Sequence, residues 1–147
     1  RVGGIAGVLS SEVTPPALLP WAVLAVVSHA TGRVRLARLA WLSGQSLREA
    51  ALARQAGRWD DAFQAYLGSI RSDFPGNPYG PEALRGALSI IDGYHEQGQA
   101  DHERQALEDL RGVLYSIRSF HQPHAAVLRQ VEQRLRAFTV PNLSRSP

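Results

Sequence analysis

GRWDDAFQAYLGSIRSDFP, residues 57–75, is the stretch that decides the fold of this chain. Glycine and proline bound it, and its apolar residues recur at helical spacing, which predicts a helix from about Arg58 to Asp73. A small alanine on such a face permits close approach of a neighbouring helix, and bulky aromatics fill the groove between them. This pattern is typical of the second helix of a helical hairpin. The predicted face consists of Trp59, Ala62, Phe63, Tyr66 and Ile70.

Composition narrows the class of protein. The chain has 147 residues, which suits one domain with an appendage, and its 44% hydrophobic residues can supply a core. It contains no cysteine, which excludes disulfides, thiolate metal sites and cysteine nucleophiles. All 16 basic residues are arginines, and 13 interspersed acidic residues leave a net charge of only +3. A dedicated nucleic-acid binder clusters positive charge on one face, so we expect no nucleic-acid partner.

An apolar segment near the N-terminus predicts a membrane helix. After a tail over residues 1–12, residues 13–32 carry no aspartate, glutamate or arginine, and a membrane-spanning helix needs about 20 apolar residues. We therefore predict one transmembrane helix over 13–32 that contacts lipid. The strongest apolar run, residues 17–30, is shorter than a full span and includes Pro20. A helix packed against another subunit and a targeting remnant are the alternatives.

Arginines and tryptophans mark the predicted membrane interface. Residues 33–44 are predicted to form a basic amphipathic connector helix, unless they already begin the folded domain. Positive residues beside a span tend to stay cytoplasmic, which favours the cytoplasmic side for the C-terminal domain. The periplasmic side is the alternative, since residues upstream of Arg1 would alter the charge count. The predicted interface residues are Trp21, Arg33, Arg35, Arg38 and Trp41.

Helical spacing of apolar residues predicts an all-α domain over residues 46–138. Ser46 and Glu49 form a capping-box pattern, which predicts that the first helix of this domain begins there. The helix already described follows it. The other predicted helices run from about Pro81 to Gly98, over about 101–119 and through Val127 to Phe138, and residues 139–147 are expected to form a flexible tail.

The helix pairs over 46–73 and 81–119 resemble each other and the tetratricopeptide repeat family. Each pair has a glycine turn, at Gly57 or Gly98, followed by an alanine and an aromatic-proline stop. The phrase DFPGNPYGPEAL, residues 73–84, is similar to repeats of bacterial envelope proteins such as the barrel-assembly lipoprotein and the Tol–Pal coordinator. The resemblance implies about two antiparallel hairpins plus a capping helix, with an inner groove that binds other proteins. The turn glycines depart from it, because they are 41 residues apart where the family spacing is about 34.

Five residues are predicted to contact a partner in that groove. Arg54, Arg58 and Arg85 are expected to offer charge-assisted hydrogen bonds to a partner's carboxylates or C-terminus. Tyr66 and Tyr94 are expected to offer aromatic contacts, with core packing as the alternative for Tyr66.

No catalytic residue, metal site or cofactor is predicted. His121 and His124 are one helical turn apart, but Pro123 separates them and no nearby carboxylate completes a metal site, so they indicate a solvated turn. His95 and His102, with their acidic neighbours, indicate exposed polarity around a turn. The predicted function is a non-catalytic, membrane-tethered scaffold for protein–protein interaction or complex assembly. The alternative is a constitutive accessory subunit of a large respiratory or photosynthetic membrane complex.

Overall fold

The computed structural model describes residues 19–117 and 124–140 of the chain. These residues form α-helices and contain no strand, which confirms the predicted all-α class. The chain divides into two compact units, residues 1–37 and 38–147. The predicted tail over 1–12 and most of the predicted C-terminal tail lie outside the described residues. The helices are α1 (Leu19–Gln55), α2 (Trp59–Arg71), α3 (Gly80–Glu96), α4 (Ala100–Ile117) and α5 (His124–Thr139).

Helix α1 is continuous where the sequence predicted three segments. Helical backbone runs through Gly44 and Ser46, so the predicted helix start at Ser46 and Glu49 is wrong. A capping box requires a non-helical residue at its first position, and here the preceding residues are already helical. Gly44 has a packing role instead, because a Cβ on it would lie 3.1 Å from the Tyr79 ring.

The structure does not support the predicted transmembrane helix. Among the residues it describes, no helix combines the length and the apolar character needed to cross a membrane. Residues 13–18 of the predicted span lie outside that description, and the rest belongs to α1. Within α1 the apolar run is interrupted by Ser28 and His29 and then by three arginines, which lowers the hydropathy of any window of sufficient length.

The predicted apolar stripes form the core of the second unit. Ala62, Phe63, Tyr66 and Ile70 are buried on α2, whereas Trp59 is 43% exposed and lies outside the core. Helix α4 contacts α2, α3 and α5, and α3 also contacts α2. Full burial of one large aliphatic side chain contributes about 1.5–3 kcal/mol. The largest fully buried apolar side chains are Leu67, Ile70, Ile90, Ile91, Leu107, Leu110, Leu114 and Val131.

Both predicted glycine turns are present, and they have the same geometry. Gly57 and Gly98 have φ values of 72° and 69°, a region that favours glycine. In each turn the residue after the glycine donates its N–H to a carbonyl five residues earlier over 2.9 Å: Arg58 to Ala53, and Gln99 to Tyr94. This is the glycine-based end of a helix described for Schellman motifs. The end of α1 with α2, and α3 with α4, are therefore two helical hairpins with equivalent turns.

The segment between α2 and α3, residues 72–79, is attached to α1 by buried hydrogen bonds. The Asn77 side chain donates to Ser43 Oγ over 3.0 Å and accepts the backbone N–H of Tyr79 over 3.1 Å. The Ser43 hydroxyl lies 2.8 Å from the Ser69 hydroxyl on α2. Each buried polar atom in this contact is therefore paired, which avoids the cost of burying it unpaired.

The same segment is joined to α5 by a buried hydrogen bond between an aspartate and a histidine. Asp73 Oδ2 lies 2.7 Å from His124 Nε2, and the two side chains are only 2% and 5% exposed. Burial alone would raise the pKa of Asp73, but hydrogen bonds from His124, Asn77 and a backbone N–H outweigh it and lower that pKa. The interpretation of His124 as a solvated turn residue is wrong, because its carboxylate partner is distant in sequence. His121 lies outside the described residues.

Candidate partner-binding groove

A surface cleft of about 860 Å³ lies beside the two glycine turns. Its walls come from the end of α1, the start of α2, the second half of α3 and the start of α4, all within the second unit. We call it the turn groove. Ligand-binding clefts typically have about 300–1,000 Å³, so this volume suits a small ligand or a short peptide segment. Its charged lining residues are Arg54, Arg58, Asp60, Asp61, Asp92 and Glu96, and its ring-bearing ones are Trp59, Tyr94 and His102.

Three of the five predicted partner-contact residues line the turn groove: Arg54, Arg58 and Tyr94. The other two do not. Tyr66 is 6% exposed and belongs to the core, in agreement with its alternative interpretation. Arg85 is exposed on α3 but does not line the groove. Arg54 lies in the last turn of α1, and Arg58 directly precedes α2.

Both groove arginines already have intramolecular contacts. The Arg54 guanidinium lies 5.7 Å from the centroid of the Trp59 ring, and its Nη2 donates to Ser89 Oγ over 3.0 Å. Arg58 forms a 2.7 Å ion pair with Asp61, in which the side chains are 60% and 61% exposed. An exposed pair of this kind contributes at most about 1 kcal/mol. A partner's carboxylate would therefore have to compete with these contacts.

Tyr94 lies on α3, lines the groove, and contacts residues of α2 and α4. It is 8% exposed, its hydroxyl donates to the Asp60 carboxylate, and its ring centroid lies 5.6 Å from that of His102. Burial raises the pKa of Tyr94, and the hydrogen bond and negative charge of Asp60 raise it further. Tyr94 therefore stays protonated and fixes the orientation of Asp60. Asp60 itself lies in the first turn of α2, where a negative charge is favourable.

Carboxylates outnumber guanidiniums in the groove. Four acidic side chains oppose two arginines there, which gives a net charge of −2 with His102 neutral. Sequence reasoning missed this excess because Asp92 and Glu96 lie on a different helix from the groove's arginines and meet them only in the folded chain. Their spacing of four residues places them on one face of α3, which is a signal that could have found them.

A second polar cluster joins α3, α4 and α5 beside the groove. Glu103 is 5% exposed and accepts a hydrogen bond from Arg134 over 2.7 Å, and its other oxygen lies 2.9 Å from His95 Nδ1. Arg134 also donates to Asp92 over 2.7 Å. Burial would raise the pKa of Glu103, but these contacts outweigh it and lower that pKa. The prediction of exposed polarity here is wrong for Glu103, which is a buried structural residue.

The predicted membrane-interface residues lie on α1. Arg33, Arg35 and Arg38 are exposed, and Trp41 is 59% exposed. The side chain of Trp21 lies outside the described residues.

Within the described parts of the chain, no group of three or more histidine, aspartate or glutamate side chains is arranged to hold a metal ion. The tetratricopeptide-type resemblance and its implied partners stay predictions. No protein family, curated protein or solved structure matches this chain.

Proposed function

We propose that this chain is a non-catalytic helical-hairpin scaffold that binds a segment of another protein in the turn groove. The groove is the observation that carries the proposal. It has a volume of about 860 Å³ and is lined by a half-exposed tryptophan and several charged groups. The helices that form its walls also contribute buried side chains to one hydrophobic core, which holds the groove in a fixed shape. Aromatic and charged side chains at a rigid cleft are the groups that most often dominate protein–protein affinity.

A repeat-like arrangement of the helices supports the scaffold proposal. The two hairpins share one turn geometry, and the groove lies along both turns. Helix α5 would act as the cap that ends the array, because a terminal helix needs a polar outer face. Its exposed side chains include Arg129, Gln130, Gln133 and Arg136.

Blocking the groove is expected to abolish partner capture. Gly93 lines the groove within α3, and a Cβ there meets no atom within 4 Å. Gly93→Gln therefore fills the groove without disturbing the core, and it favours the helix by several tenths of a kcal/mol. With a photoreactive amino acid at Gln97 on the groove wall, crosslinking in the source cells should yield a defined protein, and Gly93→Gln should reduce the yield at least tenfold.

The matched control for this block is Gly112→Gln. Gly112 is also a helical glycine with open space around it, but it is exposed on α4 away from the groove. Crosslinking from Gln97 should be unchanged in this variant. Equal yields from both glycine variants, or no protein crosslinked specifically from Gln97, would contradict the proposed function.

Attachment to a membrane surface through α1 is part of the proposal. Residues 13–48 contain four arginines and no acidic residue. Apolar side chains that the structure describes shortly before these arginines are exposed, among them Val23 at 60% and Val26 at 69%. Apolar side chains can enter the acyl boundary of a bilayer while nearby arginines contact anionic headgroups.

Charge removal on α1 is expected to release the protein from anionic vesicles. The triple change Arg33→Gln, Arg35→Gln and Arg38→Gln should lower co-flotation with phosphatidylglycerol vesicles at least fivefold, since each arginine near an anionic surface is worth about 1 kcal/mol. Arg129→Gln with Arg136→Gln, on exposed positions of α5, is the control. Equal loss in both variants would show that total charge, and not α1, governs vesicle binding.

The alternative function is that of a constitutive accessory subunit. The exposed apolar residues of α1 favour it too, because they would also suit burial against a neighbouring subunit. Extraction in mild detergent followed by mass spectrometry separates the two functions. A stoichiometric complex supports the subunit, whereas varied substoichiometric partners support the scaffold.

A further inference from the structure

We infer that the turn groove selects a basic peptide segment, one that carries arginine or lysine side chains. The inference rests on the proposed function and names the chemistry of its partner. It reverses the expectation that the groove's arginines recognise a partner's carboxylates. The charge balance of the lining is the first observation behind it, because four carboxylates face the groove against two guanidiniums.

The groove's carboxylates are better placed for a partner than its guanidiniums. Glu96 is exposed and has no ion-pair partner in the part of the chain that the structure describes. The hydroxyl of Tyr94 holds Asp60 in one orientation. Both arginines, in contrast, are engaged, Arg54 by a ring and a hydroxyl and Arg58 by a carboxylate. Of the other two carboxylates, Asp61 pairs with Arg58 and Asp92 pairs with Arg134. In the described part of the chain, two groove carboxylates without an ion pair, Asp60 and Glu96, therefore stand against one such guanidinium, Arg54.

The groove already binds one cation by the same chemistry. The Arg54 guanidinium lies over the Trp59 ring, 5.7 Å from its centroid, and this ring remains 43% exposed. A cation over an aromatic ring gains about 0.5–1 kcal/mol at an exposed site. The exposed part of the Trp59 ring and the nearby carboxylates thus offer both contacts that a partner's arginine prefers, and at the ring this arginine competes with Arg54.

The net charge of +3 of the whole chain does not oppose a basic partner, because the charge is unevenly distributed. Residues 13–48 carry four arginines and no acidic residue, which gives +4. Residues 49–147 carry 11 arginines and 12 acidic residues, which gives −1. Charges separated by more than about 8–10 Å are screened at physiological salt, so the local charge of the groove decides which peptide binds.

The test measures peptide binding through the fluorescence of Trp59 in the full-length protein. The chain has three tryptophans, and Trp21→Phe with Trp41→Phe leaves Trp59 as the only reporter. The probes are three blocked peptides that alternate glycine with arginine, glutamate or serine. The arginine peptide should change the emission at a concentration at least tenfold lower than the other two, and high salt should weaken its binding severalfold.

Charge reversal at one groove residue distinguishes selection by the groove from general attraction. Glu96→Lys should weaken binding of the arginine peptide at least tenfold, whereas Glu49→Lys, at an exposed position of α1 outside the groove, should change it less than twofold. Equal effects of the two variants, tighter binding of the glutamate peptide, or no binding of any probe would overturn the inference. If the inference fails while Gly93→Gln still abolishes crosslinking, the groove binds a partner of another class and the proposed function stands.

Discussion

Replacing Asp73 with alanine is expected to lower the free energy of unfolding by about 2–3 kcal/mol, because it removes the buried hydrogen-bond partner of His124, and a buried polar group that loses its partner costs about 1–3 kcal/mol. His124 faces this carboxylate at 2.7 Å, and its side chain is only 5% exposed. The substitution also removes a hydrogen-bond acceptor from the segment that joins α2 to α3. Urea unfolding near neutral pH, followed by circular dichroism, measures the loss.

Asp61→Ala is the matched control for Asp73→Ala. It removes a carboxylate whose contact has the same length, 2.7 Å to Arg58, but in which both side chains are more than half exposed. Its expected cost is at most about 1 kcal/mol, because solvent screens exposed pairs. Equal losses in the two aspartate variants would mean that the contact between Asp73 and His124 does not hold α5 against the segment 72–79.

The same carboxylate gives stability a defined dependence on pH. A folded-state pKa below the ordinary value means that the group stabilises the fold above that value, and that this contribution is lost as the pH falls through the folded pKa. Asp73 and Glu103 both have lowered pKa values, from ordinary values of 3.8 and 4.5. The free energy of unfolding should therefore fall as the solution is acidified below about 4.5. Asp73→Asn should flatten part of this slope.

Local patterns in the sequence were sufficient for the helices and their turns. The stripe of Phe63 and Ile70 and the turns at Gly57 and Gly98 each depend on residues within one or two helical turns, so one segment carries the whole signal. The start predicted at Ser46 failed for a related reason. A capping residue marks a helix start only when the residues before it are not helical, and here they are.

Contacts between distant residues set the limits of prediction. Glu103 can be buried because it is hydrogen-bonded to Arg134, which lies 31 residues away in sequence. His124 can be buried because it is hydrogen-bonded to Asp73, which lies 51 residues away. A charged side chain in an amphipathic helix is expected to be exposed unless its partner is known. The acidic balance of the turn groove has the same origin, since residues of α2 and α3 meet there only after folding. Sequence reasoning therefore located the groove's arginines but not the carboxylates that outnumber them.

Replacing Gly86 with leucine is expected to lower the free energy of unfolding by about 3 kcal/mol, at the upper end of the usual cost of overpacking a core. Even a Cβ at Gly86 would collide with the ring of Tyr66, which is buried between α2 and α3. Leucine favours a helix over glycine by nearly 1 kcal/mol, but this gain is smaller than the clash. Thermal and urea unfolding of the variant measure the balance.

Gly112→Leu separates helix propensity from packing. A Cβ at this helical glycine meets nothing within 4 Å, so the variant should be as stable as the natural chain or slightly more stable. Tyr66→Ala combined with Gly86→Leu should recover part of the loss, since the smaller side chain vacates the space that leucine needs. Equal stability of the two leucine variants would mean that α2 and α3 do not approach closely at Gly86. A loss confined to Gly86→Leu places the tightest helix contact at this glycine, where the ring of Tyr66 fills the space that a side chain would take, and makes that ring part of the packing instead of a contact for a partner.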